Sequence, residues 1–413
     1  MLTLVYNIHI LAGILEQSRL LSGKELATLQ TQENAYVLIE DGLIKAYGEW
    51  HDNLLQQYAH AEKIDAGGGC VLPAWCDSHT HIVFTAWRES EFIDKLNGLT
   101  YAAIAAKGGG ILNSAARLAE ASEESLLDSA WQRLQELIQL GTGAIEIKSG
   151  YGLSVDAELK MLRVIKRLKE LSPIPVKATF LAAHTYPTAY KENHQGYIGL
   201  IIQEMLPVIA REQLADYIDV FCESGFFSPE ETIQICEAGA RYGLRPKLHV
   251  NQLNSIGGIE VGIETKALSL DHLETMTVKD IQLLANHPEI IGTLLPTAAY
   301  FLRVGFQPAR ELIDAGCSIA LASDYNPGSS PSGNMNTVVS MSCIQMKMLP
   351  EEAINAATIN GAYAMGLGQE TGSVTTGKLA NLIITKPIPS LAFLPYAFGS
   401  NHINKVLIKG KVM

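Results

Sequence analysis

Basic charge is the scarcest thing in this 413-residue chain. Lys and Arg number 31 against 43 Asp and Glu, for a formal net charge of -12, and no basic block offsets the acidity. That argues against nucleic acid as a partner. Charged residues make up only 18%, and apolar residues 47%, so the chain can bury a large core and is too apolar for disorder. The six cysteines (Cys70, Cys76, Cys222, Cys236, Cys317 and Cys343) are widely spaced and form no CxxC pair. They read as thiols of a reducing compartment, not as a disulfide framework. No apolar run approaches the roughly 18 residues of a membrane span, and the apolar N-terminus lacks a basic n-region. These absences together suggest a cytoplasmic protein.

What is present is an alternation. Residues 1–65 look β-rich. Tyr36 to Glu40 and Leu43 to Tyr47 flank Asp41-Gly42, a favoured type I′ hairpin pair. Ala380 to Thr385 and Val406 to Met413, with Lys409-Gly410 between two short runs, repeat the pattern at the other end. The economical division is a small β-rich domain built from 1–65 and 356–413, around a central domain at 66–355.

The centre alternates short apolar runs with amphipathic helical stretches such as Glu124–Gln139 and Ala157–Leu171. Eight strand candidates follow: Cys70–Cys76, Ala144–Lys148, Val176–Ala183, Ile218–Cys222, Lys247–Val250, Ala267–Asp271, Gly292–Pro296 and Ser318–Ala322. Eight βα units predict a closed TIM-like (β/α)8 barrel in an α/β protein, with the termini forming a small β-sandwich. An open doubly wound sheet is the alternative, but it leaves the eighth strand unexplained.

Polar residues collect where these strands end. Strand one runs into Asp77-Ser78-His79-Thr80-His81, strand two ends at Lys148, strand three at His184 and strand four at Glu223. Strands five, six and eight end at His249, His272 and Asp324. Five of the eleven histidines thus fall on the face where barrel active sites are built. A structural histidine has no such preference. His9, His51, His60, His194, His287 and His402 lie elsewhere and read as surface or core residues. HxH alone is common by chance. Joined by His249 and Asp324 it gives three nitrogens and one oxygen, a donor set that suits Zn2+, iron or manganese. A metal there would lower the pKa of a water, with Asp324 placed to move its proton and His272 to orient water or carbonyl.

The order HxH, His, His, Asp after strands one, five, six and eight resembles the metal-dependent amidohydrolases. Several local motifs are similar to the imidazolonepropionase family: Asp77 to His81 with Arg88 following, Glu146-Ile147-Lys148-Ser149-Gly150-Tyr151-Gly152-Leu153, and Ala322 to Pro331. Gly108-Gly109-Gly110-Ile111 and Asp219 to Glu223 fit as well, so the resemblance spans the chain. It implies one Zn2+ or iron ion per subunit on His79, His81, His249 and Asp324, with Arg88 pairing with a propionate carboxylate. Tyr151, His184 and Gln252 would contact an imidazolone ring, and Asn326, Gly328 and Ser329 the substrate or product. The implied reaction is hydrolysis of 4-imidazolone-5-propanoate to N-formimidoyl-L-glutamate in histidine degradation, by a homodimer.

Two residues qualify this. Related deaminases carry a proton-transferring Glu three residues after the strand-five histidine, where this chain has Gln252, which cannot shuttle a proton. Catalysis therefore falls to Asp324 and His272. Lys148 could suggest a carbamylated lysine bridging two metals, but that ligand follows strand four, where Glu223 stands, so Lys148 reads as a supporting residue. A cyclic-amidine deaminase and a metal-free scaffold barrel remain as alternatives. The first would release ammonia, and the second should lack a ligand. The Gly108-Gly109-Gly110 run has no GK[ST] after it and reads as a mobile loop near the site.

Overall fold

The computed structural model describes residues 1–99, 107 and 109–413; Gly108, in the glycine run, lies outside the described residues. Two sheets organise the chain. The first joins both termini in the order β16-β15-β14-β5-β1-β2-β3, with β4 pairing β1. Its strands are β1 (Leu2–Ala12), β2 (Thr31–Glu40), β3 (Leu43–Glu49), β4 (Glu62–Asp65), β5 (Val71–Pro73), β14 (Leu382–Thr385), β15 (Ile403–Ile408) and β16 (Lys411–Val412). The Asp-Gly hairpin forms as expected: Glu40 faces Leu43, and Asp41 and Gly42 take φ of 51° and 85°, the left-handed pair that a type I′ turn requires. Lys409 and Gly410 repeat it between β15 and β16, at 49° and 73°. The sheet curls on itself, because Ile44 donates its N–H to Lys378 O next to β14, so Val37, Ile39, Leu382 and Leu407 share one core.

The second sheet is the barrel: β6 (Trp75–Thr80), β7 (Thr142–Lys148), β8 (Val176–Ala183), β9 (Tyr217–Cys222), β10 (Arg245–Val250), β11 (Ser269–His272), β12 (Ile291–Leu294) and β13 (Ser318–Leu321), all neighbours in sequence order and parallel. Helices such as Glu123–Gln139 and Val155–Leu171 cover the outside, each capped by a serine, Ser122 and Ser154, that accepts an N–H from its first turn. Beyond the ends of β6 and β13 the ring is bridged by backbone: Asp324 donates its N–H to His79 O and His81 donates to Tyr325 O. The open-sheet alternative is thereby excluded.

Two boundaries differ from the expected ones. The apolar run Cys70–Cys76 is divided between sheets, with β5 pairing β1 and β14 while the barrel strand begins at Trp75. At the other end, residues 356–364 belong with the barrel and not with the terminal domain. Asn360 donates from its amide to Ile319 O, and a Cβ on Gly361 would meet Cys76 O at 2.3 Å. An apolar run has no mark that says which of two sheets each part joins, so periodicity could not place either cut.

Candidate metal and substrate site

The barrel interior is polar where barrels usually carry branched apolar layers. Alternation along the strands points His79, Glu146, Lys148, Asp219, Lys247 and Asp271 inward, and all are buried. His79 Nδ1 lies 2.7 Å from Asp271 Oδ2, and His249 Nδ1 lies 2.9 Å from Asp219 Oδ2. His81 Nδ1 faces Ser149 O at 3.3 Å. A carbonyl or an ionised carboxylate can only accept, so each Nδ1 carries the proton and each Nε2 keeps its lone pair. Lys247 and Lys148 hold the Asp271 carboxyl well below its usual range despite burial. Burial pushes Asp219 up to about 6, with Lys148 opposing.

The freed nitrogens converge. One ring nitrogen each from His79, His81 and His249 lies within 4.8 Å of the others. The Nε2 atoms of His79 and His81 are 3.4 Å apart, with Asp324 Oδ1 at 3.5 Å and 3.6 Å from them. The two Nε2 lone pairs thus face each other with no proton between them beside a carboxylate oxygen, and a cation resolves that arrangement. Burial drives all three histidines well below their ordinary pKa, which keeps them neutral as ligands must be. The donor set therefore fits a single Zn2+ or iron ion.

Lys148 stands beneath this cluster. Its Nζ is 2.7 Å from Glu146, 2.8 Å from Asp219 and 3.4 Å from Asp271, and Lys247 meets the other Glu146 oxygen at 3.0 Å. Burial opposes its charge, but Asp219, Glu146 and Asp271 outweigh it and push the pKa up. A carbamate here would add an anion among three carboxylates. Glu223, at the position of the bridging lysine, instead accepts N–H groups from Leu253 and Asn254 and so anchors the loop that carries Gln252.

A cavity of about 190 Å³ opens above the histidines and is lined by every expected site residue except the deeper His79. A larger cleft of about 710 Å³ lies at the opposite end of the barrel, around Pro246, Ile263 and Ile290, and brings no cluster of ligand groups together. In the smaller cavity His272 is held at φ 90°, followed by Leu273 at 65°, and this left-handed pair turns the imidazole inward past the end of β11. Its Nδ1 is 3.3 Å from Glu274 Oε1. Burial disfavours its charge, but Glu274 and then Asp324 outweigh burial and raise its pKa. Burial raises Asp324 to about 7, with His272 pulling the other way. His184 stacks on His81 at 5.6 Å and donates from Nδ1 to Gly150 O at 3.2 Å; burial lowers it to about 4.

Residues 70–413 match the family model of the amidohydrolases. The chain is 58% identical to the imidazolonepropionase of Flavobacterium johnsoniae over 100% of both chains. It is 41% identical to that of Geobacillus sp. strain WCH70, covering 94% of this chain and 92% of the relative. The chain belongs to the amidohydrolase family, among the imidazolonepropionases. Among solved structures, guanine deaminase of E. coli shares the fold, with a TM-score of 0.75 over 100% of this chain and 99% of that one, at 14% identity.

For an imidazolonepropionase the remaining wall of the cavity is informative. Arg88 turns its Nε and Nη2 to Ser114 Oγ at 3.0 Å and 2.9 Å, and a Cβ on Gly328 would lie 2.6 Å from Nη1, so a larger residue at 328 would push the guanidinium from this position. Asn326 is committed to its own loop: its amide donates to Asp324 O and Ser329 Oγ and accepts from Gly328 N and Ser329 N. It shapes the loop as much as it faces the cavity. Sequence reading missed Asp219 and Asp271 as partners of the histidines, and Glu274 as the partner of His272. A signal for the first two existed, since each is an acid at an inward position of an apolar strand. It also missed Glu158, whose carboxylate accepts N–H groups from Gly150, Gly152 and Leu153 and so holds the Tyr151 loop.

Proposed function

We propose that this amidohydrolase opens the ring of 4-imidazolone-5-propanoate by hydrolysis, giving N-formimidoyl-L-glutamate, with His79, His81, His249 and Asp324 holding one Zn2+ or iron ion. The observation that carries the reading is the cluster of buried acceptors facing one another in a cavity that also holds an arginine. A cation bound there would acidify a water and polarise the lactam carbonyl.

The chain's own groups supply the rest. Arg88 pairs with the propionate, and Tyr151, His184 and Gln252 hold the ring. His272, locked by Glu274, donates a hydrogen bond to the carbonyl oxygen as negative charge develops on it. Asp324 takes the proton from the attacking water and delivers it to the ring nitrogen as the C–N bond breaks. Its second oxygen accepts from Ser329 Oγ at 3.2 Å, which fixes the carboxylate plane. Gln252 hydrogen-bonds without transferring a proton.

No helix among the described residues is long and apolar enough to cross a membrane, and all six cysteines are unpaired. The unpaired thiols support a cytoplasmic enzyme. A homodimer is part of the same proposal, and light scattering in solution tests it. The function is tested by turnover of freshly generated substrate, following loss of the ring's ultraviolet absorbance with ammonia assayed in parallel. Ring loss without ammonia is expected; stoichiometric ammonia would make the chain a deaminase.

A further inference from the structure

Arg88 is not the only cation of the cavity. The helix Glu89–Leu96 begins directly after Arg88 and carries Glu91 and Lys95, and all three side chains line the cavity. Glu91 is engaged elsewhere: its Oε1 accepts the N–H of Gly110 at 2.8 Å and lies 4.0 Å from Arg88 Nε. Lys95 Nζ donates to Gly328 O at 3.5 Å and lies 5.8 Å from the centre of the Phe301 ring. Among the described residues no carboxylate comes within 4 Å of it. The neighbouring Lys107, by contrast, pairs with Asp94 at 3.1 Å. Lys95 is therefore a cavity-lining ammonium with no carboxylate in direct contact; burial lowers its pKa, Glu91 one helical turn back opposes this, and Arg88 adds to the lowering.

Arg88 alone makes a thin anion site. One edge of its guanidinium, Nε with Nη2, already donates to Ser114 Oγ, so a carboxylate must use the side with Nη1, next to Gly328. Lys95 reaches the carbonyl of that same glycine. The chain's net charge of -12 also repels an anionic substrate, which a pair of cations at the cavity wall counters locally.

We infer that Lys95 is a specificity-determining residue, the second cation of a two-point clamp in which Arg88 and Lys95 together bind the carboxylate of the substrate's side chain. This rests on the proposed imidazolone propionate reaction, so the test includes a binding measurement that does not need turnover.

In steady-state assays K95Q raises KM roughly 3- to 5-fold with kcat within about twofold, the upper range for a part-exposed charge contact. K95R keeps KM near wild type. Raising salt from about 0.05 to 0.5 M weakens wild-type kcat/KM more than that of K95Q, because one screened attraction is already gone. The K95Q penalty shrinks on an imidazolone without the carboxylate. K107Q changes the net charge equally but lies on an existing surface ion pair, and it leaves KM and the salt slope unchanged. Calorimetric binding of imidazole-4-propionate weakens in K95Q as KM rises. If wild type fails to turn over the substrate yet binds this probe through Lys95, the reaction assignment falls and the clamp stands. An unchanged KM and probe affinity in K95Q, or an equal loss on the carboxylate-free ring, overturns the clamp.

Discussion

His79 donates from Nδ1 to Asp271 at 2.7 Å, and the same carboxylate oxygen lies 3.4 Å from Lys148 Nζ. One buried acid therefore fixes a histidine tautomer and is itself fixed by a buried lysine. The same lysine does this for His249 through Asp219. The open Nε2 atoms are products of this layer.

Metal content follows first. The purified protein should carry about one ion per chain, and chelation should abolish turnover. His79→Ala or His249→Ala should lose both ion and activity, since a three-histidine site does not tolerate a missing nitrogen. Two ions per chain at full activity, measured by elemental analysis, would refute the single-ion reading.

The supporting lysine should matter for stability. Lys148→Met leaves Glu146, Asp219 and Asp271 buried with only Lys247 to balance them. Removing one partner of a buried ion network costs about 3–5 kcal/mol. Denaturant unfolding of metal-free protein should show a loss of that order, while Lys169→Met, at an exposed ion pair with Asp216, should shift stability by less than about 1 kcal/mol. Equal losses from the two changes would remove the special role of Lys148.

Arg88 should report on the anion. Arg88→Lys replaces a planar fork by a point charge and abandons Ser114, so KM should rise. Arg88→Ala should cost about 2–5 kcal/mol in kcat/KM if the contact is desolvated. On an imidazolone lacking the carboxylate the variants should approach wild type, and a loss undiminished there would make Arg88 structural.

Proton transfer separates Asp324 from Gln252. Asp324→Asn keeps the shape and removes the base, and turnover should fall by roughly 10² to 10⁴. Ion occupancy must be measured in the same sample. Gln252→Ala should mainly raise KM, because it removes hydrogen bonds to the ring. An ion-loaded Asp324→Asn with near wild-type turnover, beside an inactive Gln252→Ala, would reverse the roles.

Much of this site was legible because its chemistry sits at the ends of strands, and strand ends show in a sequence. His79, His81, His249 and Asp324 could be named as candidate ligands from their places at strand ends, and the Asp41-Gly42 hairpin could be read from its turn, which needs two left-handed residues. The alternation of apolar runs and helices carried the barrel, because each βα unit leaves its own local period.

What sequence alone left open is whatever depends on contact between distant strands. Cys70–Cys76 splits between two sheets because β5 fits between β1 and a partner more than 300 residues away, β14. His272 enters the cavity through a left-handed backbone at 272 and 273, which no propensity marks. The tautomers of His79 and His249 are set by Asp271 and Asp219, which lie on other strands. Lys95 lines the cavity only because the helix after Arg88 comes against the Gly328 loop. The sequence determined which residue types stand at the mouth of the barrel, since backbone period is a local property. Closure of the ring decided which nitrogen each histidine presents and which charges remain unpaired, because those follow from hydrogen bonds across the barrel.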